Sequence, residues 1–566
     1  MRRKGIPVIV ALVLIVIVAV VGFGSRLLEK YSYSKEVVDL DEYYGVEEGE
    51  LAILLQNDMI SDRAYVRDGR IYFELNTVKT YLNEGFYADR NEQKILYTTA
   101  LDTATAVFGA REYTDGAGGH ALEYEACFAE GDGIFLAADY VKRFTNYSWL
   151  AFERHLQVYT EWGTKQTMEV TKDTQVRLEG GIKSPILREA EAGETVEVLE
   201  QGEDWSLVKT SDSVIGYLEN KRLDNLQTVT EEPVRDYVEE EYTSVRLPQK
   251  VSLGFHSIGG EGGNSTLDAM LADGNCINVI APTWFSLTDN EGNFRSFASA
   301  WYVESAHARG LQVWGVWDNF NYRNETGADV SAYEVLSSTT KRQKLVQDMV
   351  DTSLGLKLDG INIDFEGLKV DCGEHYIQFL KELSVLCRGS GLILSVDNYV
   401  PLNFNDYYRL DIQGKILDYC IIMGYDEHWH GSGYPGSVAS IEYVSKGLDR
   451  TLEQVPAEKV VNALPFYMIL WKTEGTTVTD EYVTLNHLAD FLQSQNIKLQ
   501  WDETTCQNYG EWNSGTALYQ IWAEDEESIA VKLNVMNARN IGGVAVWRLG
   551  YGTPAAWDLI RAYGSL

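Results

Sequence analysis

The 566-residue chain carries 84 acidic against 48 basic side chains, a formal charge of −36 at neutral pH. That balance argues against nucleic acid or an anionic lipid surface as a binding partner. Its six cysteines (Cys127, Cys276, Cys372, Cys387, Cys420 and Cys506) show neither CxxC nor CxxxH spacing, and its eight histidines no HExxH, so no metal, cofactor or dense disulfide framework is expected.

Met1-Arg2-Arg3-Lys4 precedes an uncharged, mostly apolar run from Gly5 to Gly24. The run is long enough to span a bilayer of about 30 Å, and the basic tip predicts an N-terminus inside with the rest of the chain outside. A cleaved signal peptide is the rival, but the run is long for one and Gly22-Phe23-Gly24-Ser25 is a poor cleavage site. Residues 1–25 are therefore expected to form a basic tip and a single transmembrane helix in the cell membrane, with a secreted or spore-associated protein as the alternative. Residues 26–50, charged and rich in tyrosine, read as a spacer.

Residues 51–163 contain an internal repeat. Arg67-Asp68-Gly69-Arg70-Ile71-Tyr72-Phe73 and then Val78-Lys79-Thr80-Tyr81-Leu82 are echoed by Gly131-Asp132-Gly133-Ile134-Phe135-Leu136 and then Tyr140-Val141-Lys142-Arg143-Phe144. Each copy reads as turn, short strand and short helix, followed by a strand at 94–98 or 156–159. The duplication resembles a small α+β stalk domain related to the copper amine oxidase N-terminal domain, which implies a spacer and no copper. Residues 166–226 read as a small all-β barrel: 176–178 opens it, 193–199 and 205–208 form strands, and 215–218 closes it. The Gly-x-x-Val, Trp-x-x-Val and Gly-Tyr spacing resembles a bacterial Src-homology-3-like domain, which implies attachment to the cell wall. Trp205 is a binding aromatic or a core one. Residues 227–249, with Pro233, Glu239-Glu240-Glu241 and Pro248, read as an acidic linker.

From 250 to 566 strand-like runs recur at 251–256, 277–284, 311–317, 358–366, 392–396, 417–425, 460–465 and 543–547. Helical patterns at 341–354, 375–387 and 528–540 lie between several of them. Eight strands alternating with helices fit an α/β fold, a (β/α)8 TIM barrel, whose active site sits at the C-terminal ends of the strands.

The run LDGINIDFE, Leu358 to Glu366, carries the chemistry. In a strand, Asn362, Asp364 and Glu366 share one face, while Ile361, Ile363 and Phe365 share the other. Two acids at i and i+2 stand roughly 6.6 Å apart, so each is expected to raise the other's pKa and one to stay protonated near neutrality. A solvated edge strand is the bland alternative, but the aliphatic run and its flanking glycine favour a buried parallel strand.

This run resembles the DGxDxDxE signature on the fourth strand of glycoside hydrolase family 18, the chitinase-like enzymes. Asp359, Gly360, Asp364 and Glu366 match; Asn362 stands where many members carry Asp. Met423-Gly424-Tyr425-Asp426 resembles the family's Met-x-Tyr-Asp motif, and Trp547 its tryptophan under the sugar. Segments 425–429, 521–525 and 542–550 look like the bacterial spore cortex-lytic and cell-wall N-acetylglucosaminidases within it.

The resemblance implies a substrate-assisted retaining hydrolysis in which the sugar's own N-acetyl group is the nucleophile. Glu366 is then the general acid and base, Asp364 the stabiliser of the oxazolinium-like intermediate, and Tyr425 the holder of the acetamido carbonyl. Trp547, Asp426, Met423, Asn362 and Asp359 are candidate substrate-binding residues, with Asp359 of the other strand parity and Asp426 as support. Asn362 can donate to Asp364 without adding charge. His428 and His430 fall near the site's mouth, where a solvated loop accounts for them. The implied substrate is an N-acetylglucosamine-containing glycan with β-1,4 linkages, peptidoglycan first. Chitin, N-glycans and a non-hydrolytic glycan-binding wall protein are the alternatives, and endo or exo action stays open.

Overall fold

A computed structural model describes residues 6–272, 274, 276–321 and 330–564; in the first helix, side chains are described from Ile9 to Phe23 and again from Glu29. The chain divides into two compact units. The first comprises Met1–Phe86, Ala106–Tyr113 and His120–Glu239; the second comprises Tyr87–Thr105, Thr114–Gly119 and Glu240–Leu566. The stretch Tyr87–Thr105, expected within the stalk, therefore belongs with the barrel.

In the first unit, α1 (Ile6–Tyr31) covers the expected anchor. Its described apolar side chains are exposed, among them Ile9, Leu12, Ile15 and Phe23. Among the described residues, no helix is long and apolar enough to cross a membrane; part of the run Gly5 to Gly24 lies outside the described side chains. Residues after α1 are not a free spacer. Val38 N–H donates to Ile186 O (2.8 Å) and Ser34 N–H to Ile182 O (2.7 Å), while Val38, Leu40 and Tyr43 pack on an apolar core. That core, built on Val170, Val176, Val196, Val208 and Leu218, fills a seven-stranded sheet spanning 164–230. One of its strands, Ile186–Ala190, is absent from the sequence reading. The repeat folds as two strand-then-helix units, Arg70–Glu74 with Leu75–Tyr81 and Gly133–Ala137 with Ala138–Val141. Their strands pair antiparallel, Phe135 opposite Glu74.

In the second unit, eight parallel strands close a barrel: β1 (Val251–His256), β2 (Val279–Leu287), β3 (Gln312–Asp318), β4 (Gly360–Asp364), β5 (Ile393–Tyr399), β6 (Tyr419–Met423), β7 (Val460–Pro465) and β8 (Gly543–Trp547). β1 pairs with both β2 and β8, which closes the barrel. Burial on both faces is why runs such as Tyr419–Met423 are almost wholly apolar. Gly360 is needed for close approach: a Cβ there would stand 2.8 Å from Ile393 O and 2.9 Å from Trp314. Helices α2 (Thr339–Leu356) and α3 (Gly373–Ser390) cover two expected helical stretches, and α4 (Glu526–Ala538) covers the third except its last two residues. Between β7 and β8, the sequence reading did not anticipate an antiparallel sheet that includes Tyr467–Glu474, Thr477–Thr484 and Ala517–Ala523.

Candidate active site

At the C-terminal ends of the barrel strands lies a cavity of about 360 Å³, lined in part by Asp364, Glu366, Asp397, Tyr399, Met423, Tyr425, Asp426 and Trp547. The barrel brings strand ends together from distant parts of the chain, so residues of β4, β5, β6 and β8 meet there. Asp364 ends β4, is buried, and its Oδ1 has no partner among the described residues. Glu366, two residues on, is half-buried at the mouth. Its backbone is clamped by Asn319, whose Oδ1 accepts from Glu366 N–H (2.8 Å) and whose Nδ2 donates to Glu366 O (2.9 Å). The Tyr399 hydroxyl donates to Glu366 Oε2 at 2.8 Å.

Tyr425 is buried, and its hydroxyl has no protein partner among the described residues. Gly424 makes room for the turn that presents it, because a Cβ there would lie 2.7 Å from Asn462 Oδ1 and 2.9 Å from Ala463 O. Asp426 follows in a left-handed conformation (φ 62°) and accepts from the Tyr467 hydroxyl at 2.5 Å. Trp547 packs against Phe255 with ring centroids 5.6 Å apart and faces the cavity.

Burial sets the electrostatics more than repulsion between neighbouring acids. It holds the Asp364 carboxyl well above the usual range, with Glu366, Asp397 and Asp318 adding to the shift. Burial also raises Glu366; the Tyr399 hydrogen bond opposes that rise, and Asp426 and Asp318 support it. Glu366 thus raises Asp364 as expected, with burial the larger cause, while the acids that raise Glu366 are Asp426 and Asp318.

Two other expectations change. Asp359 does not reach the cavity. Its odd parity turns it outward, where Oδ2 accepts from Val313 N–H (2.8 Å) and stands 2.8 Å from His307 Nε2, bracing the strand. Asn362 is fully buried, and its amide donates to Asp397 Oδ1 (3.0 Å) and Ser395 Oγ (3.0 Å) rather than to Asp364. Neither His428 nor His430 lines the cavity: His428 Nδ1 is 3.0 Å from Tyr434 O, and His430 pairs with Asp480.

The sequence reading missed Asp397 and Tyr399 because they follow the apolar run 392–396, at which it ended the strand. Tyr467 and Tyr482 come from the inserted sheet, and no local signal marks them. Arg548, next to Trp547, also faces the cavity.

Residues 326–552 match the model for glycosyl hydrolases family 18, and residues 172–224 that for the bacterial SH3 domain. The chain thus carries both domains. It is 26% identical to the cortical fragment-lytic enzyme of Bacillus anthracis over 237 residues, 40% of this chain and 54% of the relative. It is 25% identical to the uncharacterized glycosylase YvbX of Bacillus subtilis over 296 residues, 50% of this chain and 84% of the relative. The chain therefore spans about half the length of the first and most of the second. Among solved structures, the fold is shared with the Bacillus cereus spore cortex-lytic enzyme SleL (TM-score 0.50, 21% identity, 59% of this chain and 78% of that one). The C-terminal domain of a putative chitinase from Desulfitobacterium hafniense shares it too (TM-score 0.50, 17% identity, 56% of this chain and 99% of that one).

Proposed function

We propose that this chain is a membrane-anchored extracellular glycoside hydrolase that cleaves β-1,4 linkages of N-acetylglucosamine-containing glycan, peptidoglycan first, by a substrate-assisted retaining mechanism. One observation carries the reading: a buried, unpartnered Asp364 Oδ1 stands in the same cavity as Glu366, Tyr425 and Trp547. An orphaned buried acceptor calls for a donor, and a substrate acetamido N–H supplies one.

In this reading Trp547 carries the sugar ring, and the free Tyr425 hydroxyl donates to the acetamido carbonyl, aligning its oxygen with the anomeric carbon. Glu366, kept partly protonated by burial, gives its proton to the glycosidic oxygen as the bond to the anomeric carbon breaks. The acetamido oxygen closes on that carbon from the opposite face. The positive charge that develops on the acetamido group opposes the burial that raises Asp364, and the Asp364 carboxylate stabilises the oxazolinium ring. Glu366, now ionised, takes a proton from water, which opens the ring and leaves the anomeric configuration unchanged.

The name of the Bacillus relatives, cortical fragment-lytic enzyme, supports a bacterial wall glycan as substrate. The bacterial SH3 domain supports attachment to that wall. The apolar run Gly5 to Gly24 supports an anchor in the cell membrane. Chitin and N-glycans offer the same acetamido group and are the alternatives. The test is glycan release by the full-length protein in detergent, on purified peptidoglycan and on chitooligosaccharides, beside Glu366→Gln. Products from peptidoglycan that vanish in the variant support the reading. Products from chitooligosaccharides alone move the substrate to chitin-like polymers, and binding without cleavage makes the barrel a lectin.

A further inference from the structure

We propose that Arg548 reads a carboxylate on the substrate, so that the site prefers an acidic glycan, one whose sugars carry a carboxylate as the lactyl ether of N-acetylmuramic acid does, over a neutral polymer. The inference rests on the reading of the cavity as a glycan site and narrows the substrate class.

Among the described residues lining the cavity, four are carboxylic acids, Asp364, Glu366, Asp397 and Asp426, and one is a cation, Arg548. Its guanidinium is held in place by one neighbour: the carbon stands 4.2 Å from the Tyr551 ring centroid, and Nη2 donates to the Tyr551 hydroxyl at 2.5 Å. No carboxylate among the described residues lies within ion-pair distance of it. Other arginines of the chain are better supplied. Arg342 takes both oxygens of Glu382 and the carbonyl of Leu336, and Arg177 takes the carbonyls of Ser34 and Ser184.

A guanidinium offers five N–H donors in a planar fork. Contact with Tyr551 holds the group and uses one donor, and Arg548 lines the cavity. That fork matches a carboxylate in two parallel hydrogen bonds, an interaction roughly twice as strong as one between neutral groups. A polymer of N-acetylglucosamine offers only hydroxyls and amides. Arg548 lines the same cavity as Trp547, the expected platform for the sugar ring. In a chain of net charge −36, a cation in the cavity favours an anionic substrate.

The test is done by binding, so that it does not depend on turnover. Full-length Glu366→Gln is titrated with three ligands of equal length. They are peptide-free glycan fragments of alternating N-acetylglucosamine and N-acetylmuramic acid, the same fragments with their carboxylates amidated, and chitooligosaccharides. The acidic fragment is expected to bind about tenfold more tightly than its amide. Adding Arg548→Gln brings that ratio to about one, and Arg548→Lys keeps part of it. Equal binding of acid and amide with Arg548 in place, which needs no variant at this position to fold, overturns the proposal; so does an Arg548→Gln that weakens both ligands alike. No binding of any glycan overturns the glycan reading of the cavity and this proposal with it. Carboxylate-dependent binding by a wild type that cleaves nothing removes the hydrolase reading and leaves Arg548 as the selector.

Discussion

The side-chain amide of Asn362 donates to Asp397 Oδ1 at 3.0 Å, from one barrel strand to the next. Where many family 18 members carry a second acid on β4, this chain has an amide there and an acid on β5. The second acid near Asp364 is displaced by one strand rather than lost, and Asp397 adds to the rise of the Asp364 carboxyl.

Burial, countered by the Asn362 bond and helped by Glu366, pushes Asp397 from 3.8 to about 8. A carboxyl whose folded pKa is raised contributes stability below its unfolded value and loses it as pH climbs through the folded one. The melting temperature is therefore expected to fall between about pH 4 and pH 8. Asp397→Asn should make that fall shallower, and thermal melts across the interval check it; an unchanged slope means that Asp397 does not hold the proton.

Glu366→Gln keeps the shape of the side chain and removes the transferable proton. A general acid–base contributes typically 10²–10⁴ in rate, so kcat is expected to fall by about that factor. Steady-state kinetics on soluble muropeptide or chitooligosaccharide measure it, and a fall below about fivefold removes Glu366 from that role.

The Tyr399 hydroxyl lowers the Glu366 pKa against the upward push of burial. Tyr399→Phe takes away that bond, so the Glu366 carboxyl rises further and stays protonated to higher pH. The alkaline limb of the kcat/KM profile is expected to move upward. A downward move contradicts the assignment of Glu366 as the acid.

Asp359 lies outside the cavity and anchors Val313 N–H and His307. Asp359→Ala should lower stability by about 1–3 kcal/mol, since a part-buried N–H loses its acceptor, while kcat/KM measured well below the melting temperature keeps its wild-type value. A selective loss of activity without loss of stability returns Asp359 to the substrate site.

The N-terminus of α2 is capped by a distant segment of the same unit. Asp89 Oδ2 accepts from Thr339 N–H and Oγ1, both at 2.6 Å, and Glu92 Oε1 accepts from Thr340 N–H at 2.6 Å. Carboxylates satisfy free N–H groups at this end of a helix and oppose its dipole. Asp89→Ala is expected to cost about 1–2 kcal/mol in chemical denaturation of the barrel; a neutral result means the helix finds other partners.

The barrel was legible because its strands are buried on both faces and read as apolar runs between turns; three of them, β1, β7 and β8, end where the pattern ends. LDGINIDFE and Met423-Gly424-Tyr425-Asp426 were legible because polar side chains interrupt such runs at the C-terminal end, where burial without purpose is costly. Local pattern ran out where partners are distant in sequence. β5 extends to Tyr399 because Tyr399 pairs with Met423 on β6, and that register carries Asp397 and Tyr399 into the cavity. The segment after α1 reads as spacer until Ile186 supplies its backbone acceptor. Sequence alone determined the strand order and the acids, through periodicity and charge. Which carboxylate Asn362 meets, which way Asp359 points and what stands opposite Arg548 were decided only by the tertiary structure, because hydrogen-bond partners and burial come from strands that the chain itself holds far apart.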